Sequence, residues 1–125
     1  MTSKDKQLLL QDLCGRLPYG VKVLYYGSSE EYECVDIVEG IYSNGEVVVG
    51  QYGLPVESVK PYLFPLSSMT MEQSKIYHEL IGGMFGTSAL INFEVLEDFF
   101  HKNHLDYRGL IEKSLANDAT NLNIY

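Results

Sequence analysis

Tryptophan is absent from this chain, cysteine occurs twice, and lysine plus arginine number 9 against 17 aspartate plus glutamate. Each scarcity excludes something. Cys14 and Cys34 share no CxxC spacing, so they build neither a zinc ribbon nor a dithiol motif. Cys14 falls on an apolar helical face and Cys34 in a strand pattern, where both read as small buried hydrophobes. No run approaches the roughly 18 apolar residues of a spanning helix. The opening MTSKDKQLLLQDL carries charges where a secretory leader needs an apolar stretch. A soluble, cytoplasmic chain is expected.

Positive charge is the most telling shortage. Residues 27–59 hold Glu30, Glu31, Glu33, Asp36, Glu39, Glu46 and Glu57 with no lysine or arginine, and the formal net charge is −8. Such a surface repels phosphate backbones and anionic lipid, which disfavours nucleic-acid binding and membrane docking. It suits a solvated face or a basic protein partner. What is abundant is apolar residues, 46% of 125, and ten tyrosines. That length and composition suit one domain with a true core.

The chain divides into a helix (1–17), a β region (18–66), a helical region (67–118) and a tail (119–125). Leu9, Leu10, Leu13, Cys14 and Leu17 recur at helical spacing, capped by Thr2 or Ser3 and stopped by Gly15. VKVLYY (21–26), YECVDIVEGIY (32–42) and EVVVGQYG (46–53) read as strands, with Gly40 marking a bulge. Asn44-Gly45 predicts a type I′ hairpin turn, since both residues accept positive φ. Pro55, Pro61 and Pro65 demote 54–69 to an edge strand or an extended arm. The fold class is α+β: an N-terminal helix, a small, strongly bent antiparallel meander that fits an SH3-like partial barrel, and two or three C-terminal helices. An exposed sheet edge is compatible with a homodimer.

Thr70 and Gln73 make a capping box for a helix to about residue 81, ended by Gly82-Gly83. Residues 84–89 form a connection. Phe93, Leu96, Phe99 and Phe100 give the buried stripe of a second helix, capped by Ser88 or Asn92. A third spans 107–116, and the tail frays.

The densest chemistry is HKNHLDYRGLIEK (101–113). One reading is a metal or acid–base site from His101, His104 and Asp106 with His78 or Glu79, but this lacks the HExxH pattern and a nucleophile with an oxyanion site. The favoured reading is a joint between helices. Asp106 is the N-cap, Leu105 and Leu110 close a hydrophobic staple, and the histidines meet the negative end of the preceding helix. Arg108, in the first turn, needs a carboxylate from elsewhere in the fold or from a partner. No cofactor and no metal ligand are expected.

Three blocks, DLCGRLPYGVKV, VKPYLFPLSSMTMEQ and HLDYRGLIEKSLA, resemble in the same order those of short uncharacterised proteins of gut Bacteroidetes and their phages or mobile elements, whose patterns look like VKPYLRPLSSMTEEE and HHFDYRGLIEKGLA. Here Phe64 stands for arginine, Asn103 for histidine, Leu105 for phenylalanine and Ser114 for glycine. The resemblance implies a phage or mobile-element accessory context and supplies no reaction.

The most fitting function is therefore a non-enzymatic protein-interaction module, with Tyr25, Tyr32, Tyr42, Tyr52, Tyr107 and Arg108 as candidate contact residues for an unidentified protein partner. His104, Asp106 and Thr70 are the structural caps. The competing classes are a small metal or acid–base enzyme on His78, His101, His104 and Asp106, and, more weakly, nucleic-acid binding through Lys4, Lys6, Arg16 and Lys22.

Overall fold

The computed structural model describes residues 1–26, 32–86 and 93–125, with the backbone alone for 83–86. Helix α1 (Ser3–Arg16) begins at a capping box: Thr2 Oγ1 accepts from Asp5 N at 3.0 Å while the Asp5 carboxylate accepts from Thr2 N at 3.3 Å. It runs past the predicted stop. Gly15 lies inside it, and a 3-10 turn (Leu17–Tyr19) with left-handed Gly20 ends it instead.

Strands β1 (Lys22–Tyr26), β2 (Glu33–Ile41), β3 (Val47–Val49) and β4 (Tyr52–Leu54) form an antiparallel meander. The register of β2 on β3 shifts between Val38 and Gly40, so the bulge lies where Gly40 was read. It also splits β2, which pairs with β1 through residues 33–37 and with β3 through 38–41. The hairpin at Asn44-Gly45 is present but is not type I′. Gly45 N donates to Tyr42 O, Tyr42 N donates to Glu46 O, and Gly45 has positive φ while Asn44 does not. This is the three-residue loop in which a type I turn precedes a left-handed glycine. Asn44 Oδ1 supports it by accepting from Glu46 N at 3.0 Å.

A 3-10 turn (Val56–Ser58) leads into β5 (Lys60–Pro65), which returns antiparallel to β1. The prolines predicted an edge strand, and the structure corrects this. Leu63 O accepts from Ala119 N and Phe64 N donates to His104 O, each at 2.8 Å. Successive residues aim their backbone groups at opposite edges, so both edges of β5 are paired. The partners are β1 (antiparallel) and two parallel two-residue strands, β6 (Leu105–Asp106) and β7 (Asn117–Asp118). The sheet is thus mixed, and it forms no closed barrel.

Helix α2 (Met71–Gly86) starts at the Thr70/Gln73 capping box, with Thr70 N on Gln73 Oε1 at 3.0 Å and Gln73 N on Thr70 Oγ1 at 3.1 Å. It continues through Gly82-Gly83; each glycine costs a helix interior about 1 kcal/mol, which does not end it. Helix α3 (Phe93–Lys102) buries Phe99, Phe100 and His101, whereas Phe93 is exposed. The proposed caps Ser88 and Asn92 lie outside the described residues.

The third predicted helix does not exist. Residues 107–116 form successive turns, because Gly109 (φ 73°) and Ser114 (φ 61°) twice invert the backbone twist a helix needs. The tail does not fray either: it continues from β7 and crosses β5 to end beside Lys22.

Two cores result. Leu9 and Leu13 of α1 meet Val21, Val23, Val38, Val47, Val49, Leu63, Leu110 and Leu115. The second core is Phe99, Phe100 and Leu105 with Tyr77, Leu80, Leu96 and Tyr107 around them. Among the described residues, no helix is long and apolar enough to cross a membrane.

Candidate functional site

Between the two cores lies a buried ionic cluster. Asp12 and Arg16 are one turn apart on the α1 face that also carries Leu9 and Leu13, and both are 0% exposed. The pair is two-pronged: Arg16 Nε to Asp12 Oδ2 at 2.7 Å and Arg16 Nη2 to Asp12 Oδ1 at 3.2 Å. Arg16 Nη2 also donates to Leu105 O at 2.7 Å, and Nη1 has no hydrogen-bond partner among the described residues. Arg108 Nε reaches the same Asp12 Oδ1 at 3.2 Å. The carboxylate that Arg108 requires is thus within the fold, on the first helix.

Both guanidiniums approach Tyr107, their Cζ atoms lying 5.7 Å (Arg16) and 4.9 Å (Arg108) from its ring centroid. Phe100 stacks on it at 4.9 Å and 15°. Its hydroxyl meets His101 Nε2 at 2.8 Å, and burial raises its pKa. The His101 ring in turn occupies the space where a side chain at residue 15 would stand: a Cβ on Gly15 would lie 2.5 Å from His101 Cε1. Gly15 is a point of helix–helix approach, not a helix stop.

The cluster pins α1 to the end of α3 and to residues 105–108, with the one carboxylate of Asp12 shared by Arg16 and Arg108. It contains no exposed nucleophile. The residues of the metal and acid–base reading are dispersed. His101 bonds Tyr107. His104 is left-handed (φ 55°) and stacks on Tyr125 at 3.6 Å between centroids. His78 on α2 contacts Ser74 O at 2.7 Å. Among the described residues, no three His, Cys, Asp or Glu side chains group so as to hold a metal ion.

The helix-dipole role of the histidines is also corrected. Burial first, and Arg16 second, lower the pKa of both, that of His104 to about 4, so both are neutral near pH 7. Lys102 alone brings a cation to that turn. Leu105 and Leu110 belong to different cores and close no staple.

Asp106, 7% exposed, accepts from Leu110 N and Ile111 N, each at 2.9 Å, and so ties off turns and not a helix. Replacing it strands two amides, one of them buried. Asp106→Ala is expected to cost about 0.5–2 kcal/mol, towards the upper end. Denaturant unfolding would show it, and an unchanged midpoint would remove Asp106 from this role.

The β-region tyrosines do not form one surface. Tyr25 is 8% exposed and pairs with Cys34 across the β1–β2 ladder. Burial raises its pKa, and the ladders place Tyr25, Cys34 and Asp36 as a cluster on the sheet face that also carries Tyr52. Tyr32 is 69% exposed, and Tyr52 lies open beside the cluster. The Asp36 carboxylate leans over the β3–β4 turn, within 3.6 Å of a Cβ built on Gly50. Tyr42 lies elsewhere: its ring sits against Gly53, whose face is opposite to that of Tyr52.

The basic residues weighed for nucleic acid are mostly engaged within the fold. Arg16 is buried, Lys22 Nζ donates to Ile124 O at 2.7 Å, and Lys6 stands 3.8 Å from Glu57. Lys4 is the one residue of that set with none of these ties.

The reading from sequence passed over Asp12 and Tyr125 and gave Gly15 and Lys22 other roles, a helix stop and a basic surface. Asp12 and Arg16 carried a usable signal, an acid–base pair in phase with the apolar stripe. Lys22 and Tyr125 carried none. No protein-family model, no curated protein and no solved structure matches the chain.

Proposed function

We propose that this chain is a non-enzymatic protein-interaction module that receives an extended basic or proline-rich segment on the face of the β1–β2 hairpin that carries Tyr25, Cys34 and Asp36. The observation that carries the reading is that Asp36 and exposed Tyr52 share a sheet face with the buried Tyr25, with Tyr32 exposed just before β2. Tyrosine offers large contact area at low entropic cost, and an adjacent carboxylate selects a cation. No lysine or arginine between residues 27 and 59 competes for that carboxylate.

The connectivity supports an SH3-like reading: a four-strand meander, one 3-10 turn, and a fifth strand returning antiparallel beside the first. Domains of that kind dock polyproline segments in aromatic grooves. The resemblance to phage and mobile-element proteins supports an accessory role.

The test is fluorescence anisotropy against an array of arginine-flanked proline-rich peptides. Binding is expected, weakened about tenfold or more by Tyr52→Ala and by Asp36→Asn, which corresponds to about 1.4 kcal/mol each. Glu72→Gln on α2 is expected to bind as the unaltered chain does. Peptides that bind all variants equally, or an array with no binder, would overturn the reading.

A further inference from the structure

Strand β1 outruns its neighbour. Its ladder with β5 ends at the Leu24–Lys60 pair, and the chain before Lys60 leaves as the 3-10 turn Val56–Ser58, while β1 continues to Tyr26. Where the two part, a groove of about 370 Å³ opens, with Leu24, Tyr26, Val59, Lys60, Leu115 and Asn117 in its walls. Register brings several of these together. Leu24 and Lys60 are paired and so share a sheet face, which Tyr26 keeps two residues along β1. Tyr62, two residues on from Lys60, pairs with Asn117 and keeps the same face. Tyr25, Cys34 and Asp36 point the other way, so the groove stands apart from the peptide surface proposed above.

The apolar walls are firm. Val59 and Leu115 are buried members of the first core, and Leu24 is half-buried. The volume lies within the range of small-molecule sites, about 300–1,000 Å³.

The polar groups in the groove are mainly donors without acceptors. The Lys60 ammonium has no hydrogen bond or ion pair among the described residues, nor has the hydroxyl of Ser114, which also lines the groove. Asn117 Nδ2 is buried with no hydrogen-bond partner among the described residues. A buried donor left unpaired is costly, and an acceptor brought by a ligand relieves it. In a chain of net charge −8, a lysine with no carboxylate beside it is available to an anion from outside. Glu57, also in the wall, lies 3.8 Å from Lys6. Its negative charge opposes a dianion in the groove and leaves the single cation of Lys60 matched to a single negative charge.

We propose that this groove binds a small monocarboxylate with an apolar body, either a short acyl chain or a ring. The carboxylate accepts from Lys60, Ser114 and Asn117, and the body lies on Leu24, Val59 and Leu115. Charge-assisted bonds to the head group set orientation, and the apolar walls set the size of the body.

The test is titration of the full, ¹⁵N-labelled chain with octanoate and 4-phenylbutanoate, each against the alcohol of the same body, followed by amide chemical shifts. Saturable shifts are expected at Leu24, Lys60 and Asn117 with at least one carboxylate. Its Kd should be about tenfold lower than that of the matching alcohol, and Lys60→Met should raise it by about the same factor. Inorganic phosphate is expected not to compete. No saturable shift from either carboxylate, equal affinity for acid and alcohol, an unchanged Kd in Lys60→Met, shifts centred instead on Tyr25 and Asp36, or competition by phosphate would each overturn the proposal. If Lys60→Met does not fold, Ser114→Gly replaces it. Glycine adopts the φ of 61° at that position freely, so the variant removes the hydroxyl without straining the turn. Binding should weaken several-fold, and an unchanged affinity counts against the proposal.

Discussion

Replacing Asp12 by alanine is expected to destabilise the protein by about 3–5 kcal/mol, the cost of leaving a buried charge without its partner. Domain stabilities commonly fall between about 5 and 15 kcal/mol, so this one change would bring the fold near its limit. The reason is specific to the cluster. Arg16 is fully buried, and among the described residues its side chain has only Asp12 and the Leu105 carbonyl as hydrogen-bond partners. Arg108 loses its carboxylate in the same step. Urea unfolding would measure the loss. The double variant Asp12→Leu with Arg16→Met removes both buried charges and should recover part of it, because an apolar pair of similar volume often replaces a buried ion pair at no cost. A loss below about 1 kcal/mol in Asp12→Ala would mean that water or another group satisfies Arg16.

The second large effect is a dependence on pH from His104. Its pKa is lowered to about 4, by burial first and then by the facing cations Arg16 and Lys22. Its Nδ1 is buried without a hydrogen-bond partner among the described residues, and Tyr125 covers its face. The unfolded chain binds a proton near the ordinary histidine value of about 6.5. Between that pH and 4 the unfolded state therefore takes up more protons than the folded one, and stability falls as pH is lowered through this window. Above it the contribution is complete. A depression of this size corresponds to at most about 3 kcal/mol.

His101 shifts in the same direction, so the informative quantity is a difference. His104→Asn retains a residue that accepts positive φ and removes the titration. Stability of the unaltered chain relative to this variant should drop from pH 6.5 to 4. A difference that is flat with pH would show that His104 ionises freely.

Local chemistry made much of the fold legible. Thr70 and Gln73 announce a helix start because their spacing lets each side chain reach the other's amide, whatever lies around them. Gly40 marks the bulge for a similarly local reason. Where several backbones satisfy the same residues, the pattern misled. Asn44-Gly45 serves a two-residue or a three-residue loop. Leu110, Ile111 and Leu115 suit a helix as well as the turns that Gly109 and Ser114 enforce. Pro61 and Pro65 argued against an internal strand, but β5 draws its bonds from Leu63 and Phe64 and from chain segments far along the sequence.

The candidate surface was legible only as composition. That Tyr25 turns inward, that Tyr42 takes the other face and that Asp36 joins Tyr52 are consequences of register, which no single segment encodes. The Asp12–Arg16 pair shows the opposite failure. An acid and a base one turn apart suggest a solvated helix face, and only their alignment with Leu9 and Leu13 says otherwise.

The three-way pairing of β5 constrains how the molecule comes into being. Its partners β1, β6 and β7 lie at residues 22–26, 105–106 and 117–118. During synthesis, residues 60–65 emerge with one edge bare, and most of the remaining chain must follow before that edge is covered. Until then, an uncovered strand containing Tyr62, Leu63 and Phe64 invites pairing with neighbouring nascent chains. The two prolines, useless as ladder donors, make that strand a poor template for a stranger while leaving it open to its late-arriving partners.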